Sequence, residues 1–513
     1  MPELEPQAGV SREYDVVVIG GGAAGAIVAA RVSEDPSLSV CLIEAGPSDR
    51  EEPRALQLRR WFEMLEGEYD FDFHSVPQAR GNSEIRHARS GILGGCTSHN
   101  TMISFKPLAQ DLAEWSELGA TGWDADGFLP YFDRLATRMQ PVPQDQRNPY
   151  LADVLESAHR ALGIPLVDDF NAAPFADGAG FFTLGYDPAS GIRSSSSVTY
   201  LHPVMDTRAN LELLLETRAL RIELDAGRAS AVSVRRADGS RERIVARREI
   251  VVSAGGIDTP RLLLLSGIGP AAELRALGID VVHDAPGVGR NLIDHPEGLL
   301  VWEATRSPGE PRVCDWDAGI LLRVDPSRSS PDLMFHIPLM TYAVHAERLG
   351  YAIPEHSVSL TPNVAKPRSR GRIWLTSPDP DTTPAIDFGY LTDPDGYDER
   401  MLLAAVGIAR RIAAQEPMAG WLRREVFPGP DVPDEDLPAL VRATHHTVYH
   451  GSGTARMGAA GDPLAVLDPE LRVRGVRGLR VADASAFPTL TATNPMVPIF
   501  MLGERAAELV RAA

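Results

Sequence analysis

Residues 14–25 read YDVVVIGGGAAG, and this stretch decides the fold. A β-branched run closed by glycines reads as a strand buried on both faces that feeds directly into a helix. The helix follows as AAGAIVAARVSED at 23–35. Gly20, Gly22 and Gly25 stand in G-x-G-x-x-G spacing. The first allows a tight turn, the second lets a pyrophosphate approach, and the third lets helix and strand pack closely. The helix N-terminus then faces the phosphates. A second strand, LSVCLIEAG at 38–46, carries Glu44 at the distance where an acid takes the ribose hydroxyls in dinucleotide-binding folds. FAD and NAD present the same pyrophosphate and adenosine ribose, so this motif leaves the choice between them open.

The rest of the chain sets bounds. With 513 residues there is room for two to four domains or one large two-lobed unit. Hydrophobic residues at 44% and charged residues at 23% are those of an ordinary globular protein. Asp plus Glu at 70 against Lys plus Arg at 50 gives a net charge of −20, which repels phosphate backbones and speaks against nucleic acid as a partner. The start MPELEPQAGVSREYD lacks the pattern of a secretory signal, and no apolar run nears the roughly 20 residues that span a bilayer. A cytoplasmic protein with no membrane partner is expected. Cys41, Cys96 and Cys314 are too few and scattered for a disulfide framework or a paired-cysteine metal site, and read as reduced and structural.

Along the chain, residues 61–100 are loop-rich and end in RSGILGGCTSHN, glycines and small residues crowding as they do when backbone lies against a flat ligand. Helix is expected at DLAEWSELGA and near 125–138, and LADVLESAHRAL forms a helix within the Pro-, Asp- and Gly-rich excursion 140–184. Strands return over 211–256, and EIVVSAGG opens the helix TPRLLLLSG. Residues 299–448, with SVSLTPNV, GRIWLT and one strong helix over DERMLLAAVGIARRIAAQ, read as a separate α+β lobe with an antiparallel sheet. LRVADASAFPTL adds a buried strand, and a closing helix runs from Pro498 towards Leu509.

These segments resemble a known family, the glucose-methanol-choline oxidoreductases, FAD enzymes acting on alcohols. The likeness rests on Gly20 to Gly25 with Glu44, Gly94-Gly95 before Asn100, SAGGIDTPRLLLLSGIG at 253–269, GVGRNLIDHP at 287–296, HGSGTARMG at 450–458 and VADASAFP at 481–488. Within the family GGCTSHN, HPEG, RSSSSV and TVYH resemble the branch that acts on choline. The resemblance implies an α/β fold: a Rossmann-type FAD domain assembled from 1–145, 185–296 and 449–513, and an α+β substrate lobe from 146–184 and 297–448. A homodimer is what the family suggests. It further implies cofactor contacts from Gly20, Gly22, Gly25, Glu44, Gly94, Gly95, Asn100, Thr101, Ala219, Asp483, Asn494 and Pro495, with a covalent flavin link at His99.

Oxidising a primary alcohol sends a hydride from carbon while the hydroxyl proton leaves oxygen, and that proton is about as reluctant as water's, with a pKa of about 15.7. A base is needed beside the flavin, and the resemblance assigns His450 with Asn494 to that place. His445, His446 and His450 have a metal-like spacing, but Thr447, Val448 and Gly451 argue against the helix an i, i+4 zinc pair needs, and no HExxH is present. No metal is expected. Glu297 in HPEG is the substrate clue: a carboxylate in a closed pocket calls for a cation, and a quaternary ammonium is held by negative charge and aromatic faces. By resemblance Trp61, Trp316, Tyr342 and Tyr449 line that pocket, and His336 orients the substrate hydroxyl.

The implied activity is an FAD-dependent oxidase of choline or a similar cationic primary alcohol, yielding peroxide and, after a second oxidation, the acid glycine betaine. Its rivals are a family dehydrogenase that hands electrons to a quinone or another acceptor, disfavoured by His99; a dehydrogenase or oxidase of a different primary or amino alcohol; and a flavin-containing lyase, disfavoured by Glu297 with Trp61 and Trp316. Some positions depart from the family pattern: Thr101 and Met102 are bulkier than expected, Tyr342 stands for a phenylalanine, and Asp315 replaces an aromatic before Trp316. A second acid at Asp315 raises the expectation of a more highly charged amino alcohol.

Overall fold

The computed structural model describes residues 11–172 and 177–513; the N-terminal stretch 1–10 read above lies outside the described residues, as do 173–176. Strand Ser11–Ile19 sits at the centre of a seven-stranded sheet. Val16–Ile19 pair in parallel with Val40–Ile43 on one side and with Glu249–Val252 on the other. Leu211–Leu214 and Leu479–Val481 extend this parallel core. All four Val16–Ile19 side chains are at most 4% exposed, which is why the strand is an unbroken β-branched run rather than an alternating one. The antiparallel strands Thr217–Asp225 and Arg228–Arg236 pair outward from the long strand Arg241–Val252.

Helix Gly25–Val32 begins two residues later than the sequence suggests, because Gly22–Ala24 form the turn that leaves the strand. Its apolar residues are buried, and the C-terminal helix Met496–Ala512 packs on it, tied by Arg31 to the buried Glu504, with Tyr200 donating to the same carboxylate. Near 125–138 there is only one α-turn, Ala125–Phe128, followed by a 3₁₀ turn, Leu129–Arg134. Gly127 and Pro130 account for the shortfall, since neither favours a continuing α-helix.

A nine-stranded sheet forms the second layer. Its order is Leu422–Phe427, Leu300–Ala304, Ser357–Val364, Leu333–Ile337, Ala318–Leu322, Gly178–Phe181 and Leu166–Val167, with Pro296–Glu297 and His446–Thr447 added beside Ser357–Val364. All pairings are antiparallel except that of the last two strands of the path. Helices Pro149–Leu162 and Tyr397–Ala413 pack on it; the first is capped by Asn148, whose side chain accepts from the Tyr150 and Leu151 amides, and stopped by Gly163 at φ +68°. Gly371–Trp374 joins a separate three-stranded sheet with Arg290–Leu292 and Ala385–Asp387, not the large one. No described helix is long and apolar enough to cross a membrane.

Candidate active site

The glycine turn and the ends of the parallel strands open onto a cavity of about 1260 Å³ of empty space including its mouth. Its wall includes Gly20, Gly22, Glu44, Gly95, Ala219, Asp483 and Pro495, with Tyr449 and His450 at one end. A Cβ on Gly20 would lie 2.4 Å from the Ser253 carbonyl oxygen, and one on Gly25 would lie 1.9 Å from the Gly20 oxygen. These two glycines are demanded by packing. A Cβ on Gly22 would meet only Gly95 Cα, at 3.8 Å, so its bareness keeps the cavity open. Gly94 and Gly95 take positive φ and lie against the first motif, the Gly94 amide donating to Gly21 O at 2.8 Å.

Glu44 is buried on the cavity wall, its Oε2 accepting from the Gly21 amide at 2.7 Å and its Oε1 from the Gly46 amide at 2.8 Å. Burial pushes its carboxyl up to about 7 against those bonds. Each oxygen keeps a lone pair for a ribose hydroxyl. A long cavity with bare glycines at a helix start and an acid at one end fits a dinucleotide such as FAD.

His99 follows the 3₁₀ turn Gly95–Ser98, whose Cys96 lines the cavity. Its ring is pushed down to about 3 by burial, with Arg89 and Arg193 adding to the effect, so it stays neutral. Asn100 accepts the Met102 amide at 3.0 Å, an Asx turn that holds Met102 at φ +55°. Thr101 offers its carbonyl toward Cys314 Sγ at 3.9 Å. Arg193 is fully buried behind this turn, donating from Nη1 to Thr97 O and Asn100 O while Nε and Nη2 stay unpartnered.

Strand Pro296–Glu297 is the hinge of the chemistry. Glu297 is paired with Asn363 on one side and with His446 on the other, so one short strand joins the lobe to the segment that carries His450. Tyr449, at φ +64°, turns the chain there, and the His450 amide donates to Asp294 Oδ1 at 2.8 Å. Burial alone would raise Asp294, but its contacts with His87, Thr447 and Tyr390 hold its carboxyl well below the usual range.

His295, adjacent to Asp294, fixes the tautomer of His450. Its Nε2 lies 3.0 Å from both Ala365 O and Thr491 O, and carbonyls only accept, so Nε2 carries the proton. Burial pushes His295 down to about 4, leaving the ring neutral and Nδ1 an acceptor. His450 Nδ1, 2.8 Å away, must then donate. The lone pair of His450 falls on Nε2, 3.5 Å from Asn494 Nδ2. Desolvation, with His295 adding to it, holds His450 well below the usual imidazole value, so it is a neutral base.

Most of the residues expected to bind substrate come together around His336. Glu297 is 3% exposed and its Oε1 lies 3.0 Å from His336 Nδ1. Burial raises its carboxyl above the usual value, opposed by His336. Trp316 packs edge-on against Trp61, His336 and Tyr342 at 6.4, 5.5 and 6.1 Å between ring centres. The indole nitrogens of Trp61 and Trp316 and His336 Nε2 are buried without hydrogen-bond partners. Asp315 is half-buried at the edge of this cluster, its carboxyl pushed up to about 6 by burial. The charge of Arg59 works against that rise.

A hydrogen-bonded line runs inward to Tyr449. Asn82 Nδ2 lies 3.1 Å from His345 Nδ1, His345 Nε2 lies 2.9 Å from His446 Nδ1, and His446 Nε2 lies 3.0 Å from the Tyr449 hydroxyl. Asn82 Oδ1 accepts from Arg348 and the Glu84 amide, so Nδ2 is the donor and both rings carry their proton on Nε2. The Tyr449 hydroxyl oxygen then accepts from His446 Nε2, which leaves its own proton available to another acceptor. His445 and His446 thus point into separate bonds. Among the described residues no group of three or more side chains has the makings of a metal site.

His295, Asp294, Arg193 and the Asn82–His345–His446 line were not singled out from the sequence. The first two lie in GVGRNLIDHP, quoted there only as a signature.

Comparison with known proteins agrees with this geometry. Family models described as GMC oxidoreductase match residues 14–297 and 367–503. Choline oxidase of Arthrobacter globiformis is 45% identical over 98% of this chain and 95% of its own length. The oxygen-dependent choline dehydrogenase of Sinorhizobium medicae (strain WSM419) is 33% identical over 97% of this chain and 95% of its own. Among solved structures, pyridoxine 4-oxidase from Mesorbium loti superposes with a TM-score of 0.90 at 27% identity, over 96% of this chain and 98% of that one. With both family models in chain order around the glycine turn and the His450 pair, this chain is a member of the GMC oxidoreductase family.

Proposed function

We propose that the protein is an FAD-dependent oxidase of choline or a similar cationic primary alcohol, making the aldehyde and hydrogen peroxide and then, from the aldehyde hydrate, the acid. The observation that carries this is Glu297, a buried carboxylate beside the aromatic cluster of Trp61, Trp316 and Tyr342. Burying a carboxylate is costly unless a cation accompanies it. A quaternary ammonium donates no strong hydrogen bond, and proteins hold it with aromatic faces and negative charge. The 45% identity to a choline oxidase supports the same reading.

When bound, FAD takes the hydride from the alcohol carbon and passes the electrons to oxygen. Gly20, Gly22, Glu44, Ala219, Asp483 and Pro495 would hold it, with His99 as its covalent anchor. Glu297 and the rings seat the ammonium, and His336, its Nδ1 proton directed at Glu297, presents Nε2 to the hydroxyl. His450 Nε2 accepts the hydroxyl proton, and the Asn494 amide donates to the oxygen on which charge develops. Because its surroundings disfavour imidazolium, His450 gives that proton up readily, and it leaves with the reduced oxygen as hydrogen peroxide while the aldehyde departs unprotonated. Residues 1–145, 185–296 and 449–513 form the cofactor domain and 146–184 and 297–448 the substrate domain of a soluble homodimer.

Oxygen uptake across choline, betaine aldehyde, diamino alcohols and neutral primary alcohols tests the reading. Choline is expected to give peroxide, and acid-precipitated protein to stay yellow. Turnover of neutral alcohols alone removes the substrate assignment; a colourless pellet removes the His99 link; turnover only with an added acceptor other than oxygen makes it a dehydrogenase.

A further inference from the structure

Behind the segment that carries Asn494 lies a second cavity, about 440 Å³ of empty space including its mouth, that the alcohol chemistry does not use. Four cations, Arg328, Lys366, Arg368 and Arg370, line it against one carboxylate, Glu114, in a chain of net charge −20. Some of this charge is neutralised. Lys366 Nζ lies 2.6 Å from Glu114 and 3.2 Å from Asp111 and donates to Leu490 O at 2.8 Å. Arg328 lies 2.8 Å from Asp332 and Arg368 3.2 Å from Asp395, both over the ring of Tyr397.

Arg370 is different. Exposed at the rim, as Arg368 is, it donates from Nη1 to Pro367 O and Ser369 O, and among the described residues it has no ion-pair partner. Thr489 is an independent sign of a missing ligand: it is 7% exposed, lines the cavity, and its hydroxyl has no hydrogen-bond partner. A buried hydroxyl left unpaired is uncommon because nothing offsets its lost hydration.

We propose that this cavity binds a small tetrahedral oxyanion of the phosphate class, held by Arg370, Arg368 and Arg328 and by the Thr489 hydroxyl. Guanidinium groups offer forked donors that pair with two anion oxygens at once. Several forks and a hydroxyl around one volume suit four oxygens better than the two of a carboxylate. Glu114 opposes the anion, but Lys366 holds it. The walls are also the segments that orient His295: Lys366 follows Ala365 and Leu490 precedes Thr491, whose carbonyls take the His295 Nε2 proton. A bound anion braces the two.

Calorimetric titration of the holoenzyme with inorganic phosphate at constant ionic strength is the test. Saturable single-site binding is expected, with a matching rise in Tm. Arg370→Gln is expected to weaken binding about tenfold or more, the loss of a charge-assisted pair. Thr489→Val removes only the unpaired hydroxyl, so it is expected to weaken binding without lowering the Tm of the anion-free protein. No saturable heat, equal binding by both variants, or acetate binding as tightly as phosphate would each overturn the assignment.

Discussion

Replacing Glu297 with Gln isolates the charge on which the substrate assignment rests. Glutamine keeps an oxygen for His336 Nδ1, 3.0 Å from Oε1, and nearly the same volume, so the cage of Trp61, Trp316 and Tyr342 keeps its shape. What disappears is the attraction between carboxylate and ammonium. For unit charges about 4 Å apart at an effective dielectric of about 20 that attraction is about 4 kcal/mol. Desolvation of the carboxylate takes back part of it, leaving about 2 to 3 kcal/mol, within the range measured when one member of a buried pair is removed. At 1.4 kcal/mol per decade, kcat/KM for choline is expected to fall about 30- to 150-fold. The control is the neutral isostere with a tert-butyl group in place of the trimethylammonium. Its kcat/KM, from the same oxygen-uptake assay, is expected to change less than about threefold, since it never gained from the charge. An equal loss for both alcohols would mean that Glu297 shapes the pocket rather than pairing with a cation, and the substrate reading would be wrong.

Other consequences are as direct. Glu297 is raised above the ordinary carboxylate value by burial, and only its ionised form attracts an ammonium, so choline affinity is full above its pKa and lost as pH falls through it. The acid limb of kcat/KM for choline is expected above the usual carboxylate range, and absent for the neutral isostere. Gly22→Ala is expected to fold yet lose FAD, read as flavin absorbance per protein, because its Cβ points into open cavity. Gly25→Ala is expected to lower Tm first, because its Cβ would sit 1.9 Å from Gly20 O and overpacking costs about 1 to 3 kcal/mol. His295→Ala frees the His450 ring to change tautomer; a wrong tautomer costs up to about 10⁴ in a serine hydrolase, and a partial loss of roughly 10- to 100-fold in kcat with KM unchanged is expected here. His295→Gln, whose amide can donate to the two carbonyls and accept from His450, is expected to recover part of it; equal losses in both variants would make His295 merely structural.

How far the sequence could be read depended on whether a function lay in one stretch of chain or between several. The strand, turn and helix of 11–32 are local, and each residue type there has its own reason: β-branched side chains for a doubly buried strand, glycines where a Cβ would meet backbone or cofactor. Glu297 is singled out through the HPEG motif and its resemblance, and the fold adds that its carboxylate is buried against His336. GRIWLT was legible as a strand but not as to its sheet, because alternation fixes which face is apolar and says nothing of the partner.

The proposed catalytic base shows what the sequence withholds. His450 is named by its motif, but a histidine becomes a base only when one ring nitrogen is compelled to carry the proton and the other to show its lone pair. That compulsion comes from His295, 155 positions away, and from the carbonyls of Ala365 and Thr491, which have no identity in a sequence at all. Any residue at 365 or 491 other than one that bends the backbone away would supply the same carbonyl. The Tyr449 hydroxyl is directed in the same manner, by Asn82 acting through His345 and His446. In both cases the sequence names the end group, while its proton is placed by partners that only the fold brings within 3 Å or so: backbone carbonyls acting through His295 for His450, and the Asn82 amide acting through two rings for Tyr449. The chemistry of this site is therefore less a property of His450 than of the three strands meeting at Pro296–Glu297, which hold a neutral ring whose Nδ1 is a fixed donor and whose Nε2 is an open acceptor.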